Sequence, residues 1–142
     1  AMIEFIAEHR DISLFTNNIE TAARAVECGI ETYLLGGALP TDSATVTVGR
    51  FAVDMLRSIH ADLCFFSATA LSSEGEIFDS TEQHDLLRRE MLRRSATTVF
   101  LCDGSKFLRT SRYRVTDLGA VDYLCTDVPL PSEIRTGKAK VL

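Results

Sequence analysis

Thr97-Thr98-Val99-Phe100-Leu101-Cys102-Asp103-Gly104-Ser105-Lys106 is the stretch that decides the fold. Thr97 to Leu101 are β-branched or apolar and contain no turn former, which predicts a strand buried on both faces, as in parallel sheets. The strand runs into a carboxylate, a permissive backbone, a hydroxyl and an ammonium. In an open α/β sheet, ligands bind beyond the carboxyl ends of the strands, where this cluster would stand. The plainer alternative is an ordinary Asp-Gly turn with a solvated lysine.

Outward from that strand, helical and strand patterns alternate. Towards the N-terminus, Thr81 caps a helix to about Ser95 with Leu86, Leu87, Met91 and Leu92 on one face, and Ser72 to Glu76 reads as a turn. Leu63 to Phe66 is a further apolar strand, ending in Ser67-Ala68-Thr69. Gly49 or Arg50 to His60 is an amphipathic helix carrying Phe51, Ala52, Met55, Leu56 and Ile59. Ala38 to Val48 is a loop or hairpin with Pro40 and Asp42 as turn formers and a short β segment at Thr45 to Val48. Thr32 to Leu35 is a strand ending in Gly36-Gly37. Asn18 caps a helix through Cys28 that carries Ile19, Ala22, Ala23 and Val26, and Gly29 stops it. Ile12 to Phe15 is a short strand, and Ile3 to His9 the end of a helix. Towards the C-terminus, Phe107 to Val115 reads as irregular, Thr116 as the cap of a helical turn, and Tyr123 to Cys125 as the last strand. The tail from Pro131 carries a weak helical turn. The alternation predicts an α/β fold with a mostly parallel sheet.

The chain has 142 residues, 46% of them apolar and 25% charged, which suits one soluble domain with a single core. A net charge of −5 argues against a nucleic-acid surface. Arg88, Arg89, Arg93 and Arg94 read as the outer face of a helix with one member turned inward. No apolar run is long enough to span a bilayer, and no signal peptide is read at the start. Cys28, Cys64, Cys102 and Cys125 lack metal or disulfide spacing and are read as reduced core residues of a cytoplasmic protein. Ala1 ahead of Met2 reads as a remnant of tag cleavage, and the chain as a subcloned piece.

The predicted strand ends share a chemistry. They read Thr16-Asn17-Asn18, Gly36-Gly37, Ser67-Ala68-Thr69, Asp103-Gly104-Ser105-Lys106 and Thr126-Asp127, all small, polar or glycine. Ends of this kind gather on one edge of a parallel sheet and line a polar pocket. Hydroxyls, amides, glycine N–H groups and a lysine suit an anion bearing hydroxyls, such as a phosphorylated sugar or polyol. His9, His60 and His84 are scattered, so no metal site is predicted. There is no G-x-S-x-G elbow and no G-x-G-x-x-G after a first strand, hence no hydrolase triad and no dinucleotide cofactor. Lys106 reads as a phosphate-pairing or structural lysine rather than a Schiff-base one, and His84 as half-exposed.

The order of motifs resembles a known family. Thr16-Asn17-Asn18, Leu34-Leu35-Gly36-Gly37, Thr47-Val48-Gly49 and Ala61 to Phe66 form the first half. Ser80-Thr81-Glu82 leading into Leu87 to Leu92, then Leu101 to Phe107, then Cys125-Thr126-Asp127 form the second. From about Ile12 to Pro131 this resembles the C-terminal sensor domain of DeoR-family bacterial transcriptional regulators. Asp103-Gly104-Ser105-Lys106-Phe107 and Thr126-Asp127 are the most specific pieces. The resemblance implies a NagB/RpiA/CoA-transferase-like fold, a three-layer arrangement with helices on both faces of a mostly parallel sheet. It implies residues 1–142 as a single effector-binding domain, without the winged helix-turn-helix and without the first strand and Gly-Thr-Thr turn of the sensor.

The implied function is sensing of a phosphorylated sugar effector, with operator DNA bound only through the missing N-terminal domain. No cofactor, no membrane partner and a homo-oligomer (dimer or tetramer) are expected. Lys106 is expected on the phosphate, Asp103 on ligand hydroxyls or fixing Lys106, and Ser105 beside them. Asn17, Gly36, Gly37, Ser67 and Thr69 are expected to line the pocket, with Arg88 completing the anion site. Thr81 and Glu82 read as capping residues. Related isomerases carry a catalytic glutamate where Arg88 stands, and an Asp-Gly-Ala-Asp-like turn where this chain has Ser67-Ala68-Thr69-Ala70. Loss of those carboxylates removes the base an isomerase needs, so no catalytic residue is expected. Two alternatives are a sugar-phosphate isomerase or deaminase relative and an oligomerisation module without ligand.

Overall fold

The computed structural model describes residues 2–9, 11–41 and 43–142. Asp42, expected as a turn former, lies outside them. Two compact units divide the chain, residues 1–56 and 57–142.

In the first unit, α1 (Met2–Ala7) and α2 (Ile19–Glu27) accompany two parallel strands, β1 (Ser13–Thr16) and β2 (Glu31–Leu34). Asn18 starts α2 as expected, its Oδ1 accepting from the Thr21 N–H at 2.8 Å. Gly29 ends it at φ +78°, the left-handed conformation that glycine adopts without a Cβ penalty. The buried face of α2 is Ala22 and Ala25, not the expected Val26, which is exposed. Ala25 packs with Ile3 and Ile30, and with Ile6, Ile12 and Leu14 around them. β2 is less buried than its apolar letters suggest: Tyr33 and Leu34 are exposed, and Phe15 and Tyr33 stack at 4.7 Å. Thr45 to Val48 forms only isolated bridges, Val46 to Asn18 and Val48 to Ala38. Helix α3 (Arg50–Arg57) turns Ala52 and Leu56 inward while Phe51 is exposed.

The second unit holds a parallel sheet in the order β3-β6-β8-β9, from β3 (Ala61–Phe66), β6 (Ser95–Leu101), β8 (Tyr123–Cys125) and β9 (Lys140–Val141). The organising strand β6 is central, with β3 and β8 on its two sides. Thr98, Val99 and Phe100 are buried, and Phe100 stacks on Phe66 at 5.1 Å. Full burial of a side chain of this size contributes about 1.5–3 kcal/mol. Cys64, Cys102, Leu124, Leu118 and Val121 complete this core.

A second sheet was not expected. β4 (Ala70–Leu71), β5 (Glu76–Asp79) and β7 (Tyr113–Asp117) are antiparallel, with Ser72 to Gly75 as the hairpin turn. Phe107 to Val115, read as irregular, therefore contains the start of a strand, and Thr116 lies in that strand rather than capping a helix. Helix α4 (Glu82–Arg93) contacts both sheets, β3 and β6 of the parallel one and β5 and β7 of the antiparallel one. Thr81 caps it through a long bond, its Oγ1 accepting from the His84 N–H at 3.4 Å. Arg89 fastens α4 to β7 by donating to the Arg114 carbonyl, and to its own turn through Asp85 at 2.7 Å. The chain is α/β with mostly parallel strand pairing.

Candidate functional site

Because β3, β6 and β8 are parallel neighbours, their carboxyl ends lie on one edge. Ser67-Ala68-Thr69, Cys102 to Lys106 and Thr126-Asp127 follow those ends directly. Sequence position alone had suggested this convergence, and for these three segments the hydrogen bonds make it concrete.

The segment after β6 forms a 3-10 turn, Gly104–Lys106. Asp103 shapes it: its Oδ1 accepts from the Ser105 N–H at 3.0 Å and from the Ser105 hydroxyl, and its Oδ2 pairs with the Lys106 ammonium at 3.2 Å. The Ser105 hydroxyl first, and Lys106 after it, hold the Asp103 carboxyl down to about 2. Asp103 thus both fixes Lys106 and keeps an ionised carboxylate in reach of solvent. Asp127, at the end of β8, accepts from the Gly104 N–H at 2.8 Å and ties the neighbouring segment in place. The final Thr-Asp pair thereby has a mechanical role, since Thr126 also bonds the Val128 carbonyl at 2.8 Å.

Ser67 joins two cations. Its hydroxyl accepts from the Lys106 ammonium at 2.7 Å, and its carbonyl accepts from Arg88 Nε. Arg88 is the inward member of the arginine group: its side chain is 23% exposed, against 42% for Arg89, 70% for Arg93 and 40% for Arg94. Its Nη1 pairs with Asp79 Oδ2, and the other Asp79 oxygen accepts from the Thr69 hydroxyl at 3.2 Å. Asp79 was not anticipated. It stands at the end of β5, a strand whose only apolar residues are Ile77 and Phe78, too short a run to announce itself. Thr69 therefore supports Asp79 rather than presenting an unengaged hydroxyl.

Ser67, Thr69, Arg88, Asp103, Ser105 and Lys106 are thus linked in one hydrogen-bonded set. Asn17, Gly36 and Gly37 belong to the first unit, after β1 and β2. There the Asn17 amide donates to the Thr47 carbonyl at 2.9 Å, and Thr47 N–H donates back to the Asn17 carbonyl at 2.8 Å. The Thr47 hydroxyl bonds the Leu35 carbonyl at 2.5 Å, so Thr47 holds both strand ends. Gly37 has a neighbour that requires it: a Cβ there would collide with the Val48 carbonyl oxygen.

Among the described residues no group of three His, Cys, Asp or Glu side chains could hold a metal ion. The Cys102 thiol beside the turn is pushed up to about 11, chiefly by burial, so it stays a thiol near neutral pH and is no nucleophile. No helix is long and apolar enough to cross a membrane among the described residues. What the set offers is two cations, a hydroxyl and an ionised carboxylate at the carboxyl edge of a parallel sheet. These are groups able to pair with an anion and to hydrogen-bond hydroxyls.

The strand pairing and the helices that accompany it define an α/β domain. The family model described as the DeoR C terminal sensor domain matches residues 1–128, and the chain belongs to that family. It is 26% identical over 132 residues to the glycerol-3-phosphate regulon repressor of Haemophilus influenzae, covering 91% of this chain and 51% of that protein. It is 30% identical over 117 residues to the HTH-type transcriptional regulator GolR of Listeria innocua, covering 82% of this chain and 46% of that one. An L-fucose operon activator of Haemophilus influenzae is 30% identical over 87 residues, 61% of this chain and 35% of that protein. The chain spans about half the length of the curated relatives it matches most fully.

Proposed function

We propose that this domain is the effector-binding part of a DeoR-type regulator of sugar metabolism, and that its effector is a phosphorylated sugar or polyol. The observation that carries the reading is the double use of Ser67, whose hydroxyl and carbonyl bring Lys106 and Arg88 to one residue at the sheet edge. Lys106, Arg88 and the Ser67 hydroxyl take the phosphate, since charge-assisted bonds to phosphate are the strong ones. Asp103 takes ligand hydroxyls through its partly exposed carboxylate. The names of the relatives agree in kind, one regulating a glycerol-3-phosphate regulon and one an L-fucose operon.

Binding without turnover fits the carboxylates present. A general base near neutral pH needs a matching pKa, and Asp103 is held at about 2. Asp79 is 1% exposed with both oxygens engaged, so it has no path to a substrate proton. In the whole regulator the ligand favours one arrangement of the sensor, within a cytoplasmic homo-oligomer, and thereby repositions an N-terminal winged helix-turn-helix on operator DNA.

The test is a thermal-shift screen of sugar phosphates, with the unphosphorylated sugars as controls, on wild type and Lys106→Ala. A ligand at a hundred times its Kd adds about 2.7 kcal/mol. A rise with one phosphorylated sugar that vanishes in Lys106→Ala supports the reading. Equal rises with phosphorylated and unphosphorylated partners would refute the phosphate site.

A further inference from the structure

Asp79 is 1% exposed, and its two oxygens accept from the Thr69 hydroxyl and Arg88 Nη1, with His84 also acting on its charge; Asp85, likewise buried, acts on Arg88 from the same helix. A buried ion pair is poor value as a source of stability, because desolvating two charges offsets most of their attraction. Burial raises the Asp79 carboxyl from its ordinary value and lowers Arg88, so here too desolvation is the larger effect on each partner. Something other than stability is the natural use of such a pair.

The bonds of Arg88 show what that use is. Nε is taken by the Ser67 carbonyl, just after β3, and Nη1 by Asp79, at the end of β5, two acceptors on different segments that fix the plane of the guanidinium. Nη2 has no partner among the described residues, and it is not a buried unsatisfied atom. A planar fork with two nitrogens tied and the third unengaged has lost most of its rotamer freedom before any ligand arrives. The same Ser67 that receives Nε receives Lys106 on its hydroxyl.

We infer that Asp79 is a positioning residue for the anion site, acting through Arg88 to hold the guanidinium in place so that its third nitrogen is ready for a phosphate oxygen beside Lys106. This rests on the reading that Ser67, Arg88 and Lys106 bind the phosphate of the effector. Asp79 itself touches no ligand. Its contribution is the entropy and reorientation that Arg88 no longer has to supply on binding.

The experiment is a double-mutant cycle on the 142-residue protein, with wild type, Asp79→Asn, Arg88→Gln and the double variant titrated with inorganic phosphate by NMR. Each single change is expected to weaken phosphate binding about tenfold, the scale of one charge-assisted hydrogen bond. The double variant is expected to be no weaker than Arg88→Gln, because Asp79 acts only through Arg88. Wild-type affinity in Asp79→Asn, or losses that multiply in the double variant, would overturn the inference while leaving the anion site standing. A wild type that binds no phosphate would overturn the anion site, and the inference with it. Should Asp79→Asn not fold, the wild type still decides: separate Nη signals for Arg88 before phosphate is added are expected of a held guanidinium, and averaged signals would overturn the inference.

Discussion

The Lys106 ammonium donates to the Ser67 hydroxyl at 2.7 Å, joining segments 39 residues apart in the chain. The bond connects the crossover after β3 to the turn after β6, and it places a lysine where a solvated one would otherwise wander. Ser67 and Lys106 are separable by mutation because the Ser67 carbonyl holds Arg88 independently.

With Lys106 on the effector's phosphate, as proposed, Lys106→Ala removes a charge-assisted bond worth about 1.5–3 kcal/mol, so effector affinity should fall about tenfold to a hundredfold. Ser67→Ala removes a hydroxyl that bonds the Lys106 ammonium but keeps both cations and the carbonyl that holds Arg88, so its loss should be the smaller of the two. Calorimetric titration with the effector found by the thermal screen checks the order. Equal losses would mean that the ammonium contributes no more than the hydroxyl that holds it.

Asp103 predicts an acid sensitivity with a definite sign. Its carboxyl sits at about 2 in the folded chain against an ordinary 3.8. As pH falls through that interval, the unfolded chain takes up a proton that the folded chain refuses. Its stabilising contribution is therefore complete above about pH 4 and disappears as pH approaches about 2. Urea midpoints measured from pH 2 to pH 5 should fall less steeply in Asp103→Asn than in wild type.

The two helix caps should differ in strength. Asn18 Oδ1 meets the Thr21 N–H at 2.8 Å, whereas Thr81 Oγ1 meets the His84 N–H at 3.4 Å. Asn18→Ala is expected to cost about 1 kcal/mol and Thr81→Ala nearer 0.5 kcal/mol. Chemical denaturation of the two variants ranks them, and a larger loss for Thr81→Ala would contradict the geometry.

Gly37→Ala should be costly although the residue is exposed. The added methyl would strike the Val48 carbonyl, whose oxygen accepts the Ala38 N–H at 2.9 Å, so relief requires the bridge between the segments to open. Overpacking of this kind costs about 1–3 kcal/mol. Gly29→Ala, at φ +78° with open space around its Cβ, isolates the backbone part of such a penalty, about 1 kcal/mol. Differential melting of the two variants separates clash from conformation.

The parallel sheet was legible because buried parallel strands are written as uninterrupted apolar runs, and Leu63 to Phe66 and Thr97 to Leu101 are such runs. The caps were legible for a local reason, since Asn18 and Thr81 act within three residues of themselves. The antiparallel sheet was not, because β4 has two residues, β5 two apolar letters, and β7 begins among Arg112, Tyr113 and Arg114. Of the site, Lys106, Asp103 and Ser67 could be named from the strand ends that hold them. The partner of Arg88 could not, since Asp79 reads as a polar end to an unremarked segment until β5 is seen beside α4. The apolar face of α2 was misread for a related reason: Ala25 and Val26 are one letter apart, and only packing against Ile3 and Ile30 chooses between them.

The parallel order of β3, β6 and β8 has an evolutionary consequence. Each segment at the ligand edge is the start of a separate crossover, while the ladder from Ala61–Phe66 through Ser95–Leu101 to Tyr123–Cys125 is built from backbone groups. One crossover can acquire new side chains or extra length while the register between the strands stays as it is, provided that the ties from Ser67 to Lys106 and from Gly104 to Asp127 are kept. The register is thus inherited through backbone pairing, and a lineage of such domains can vary the side chains at this edge by single-segment steps, each passing through a protein that still folds.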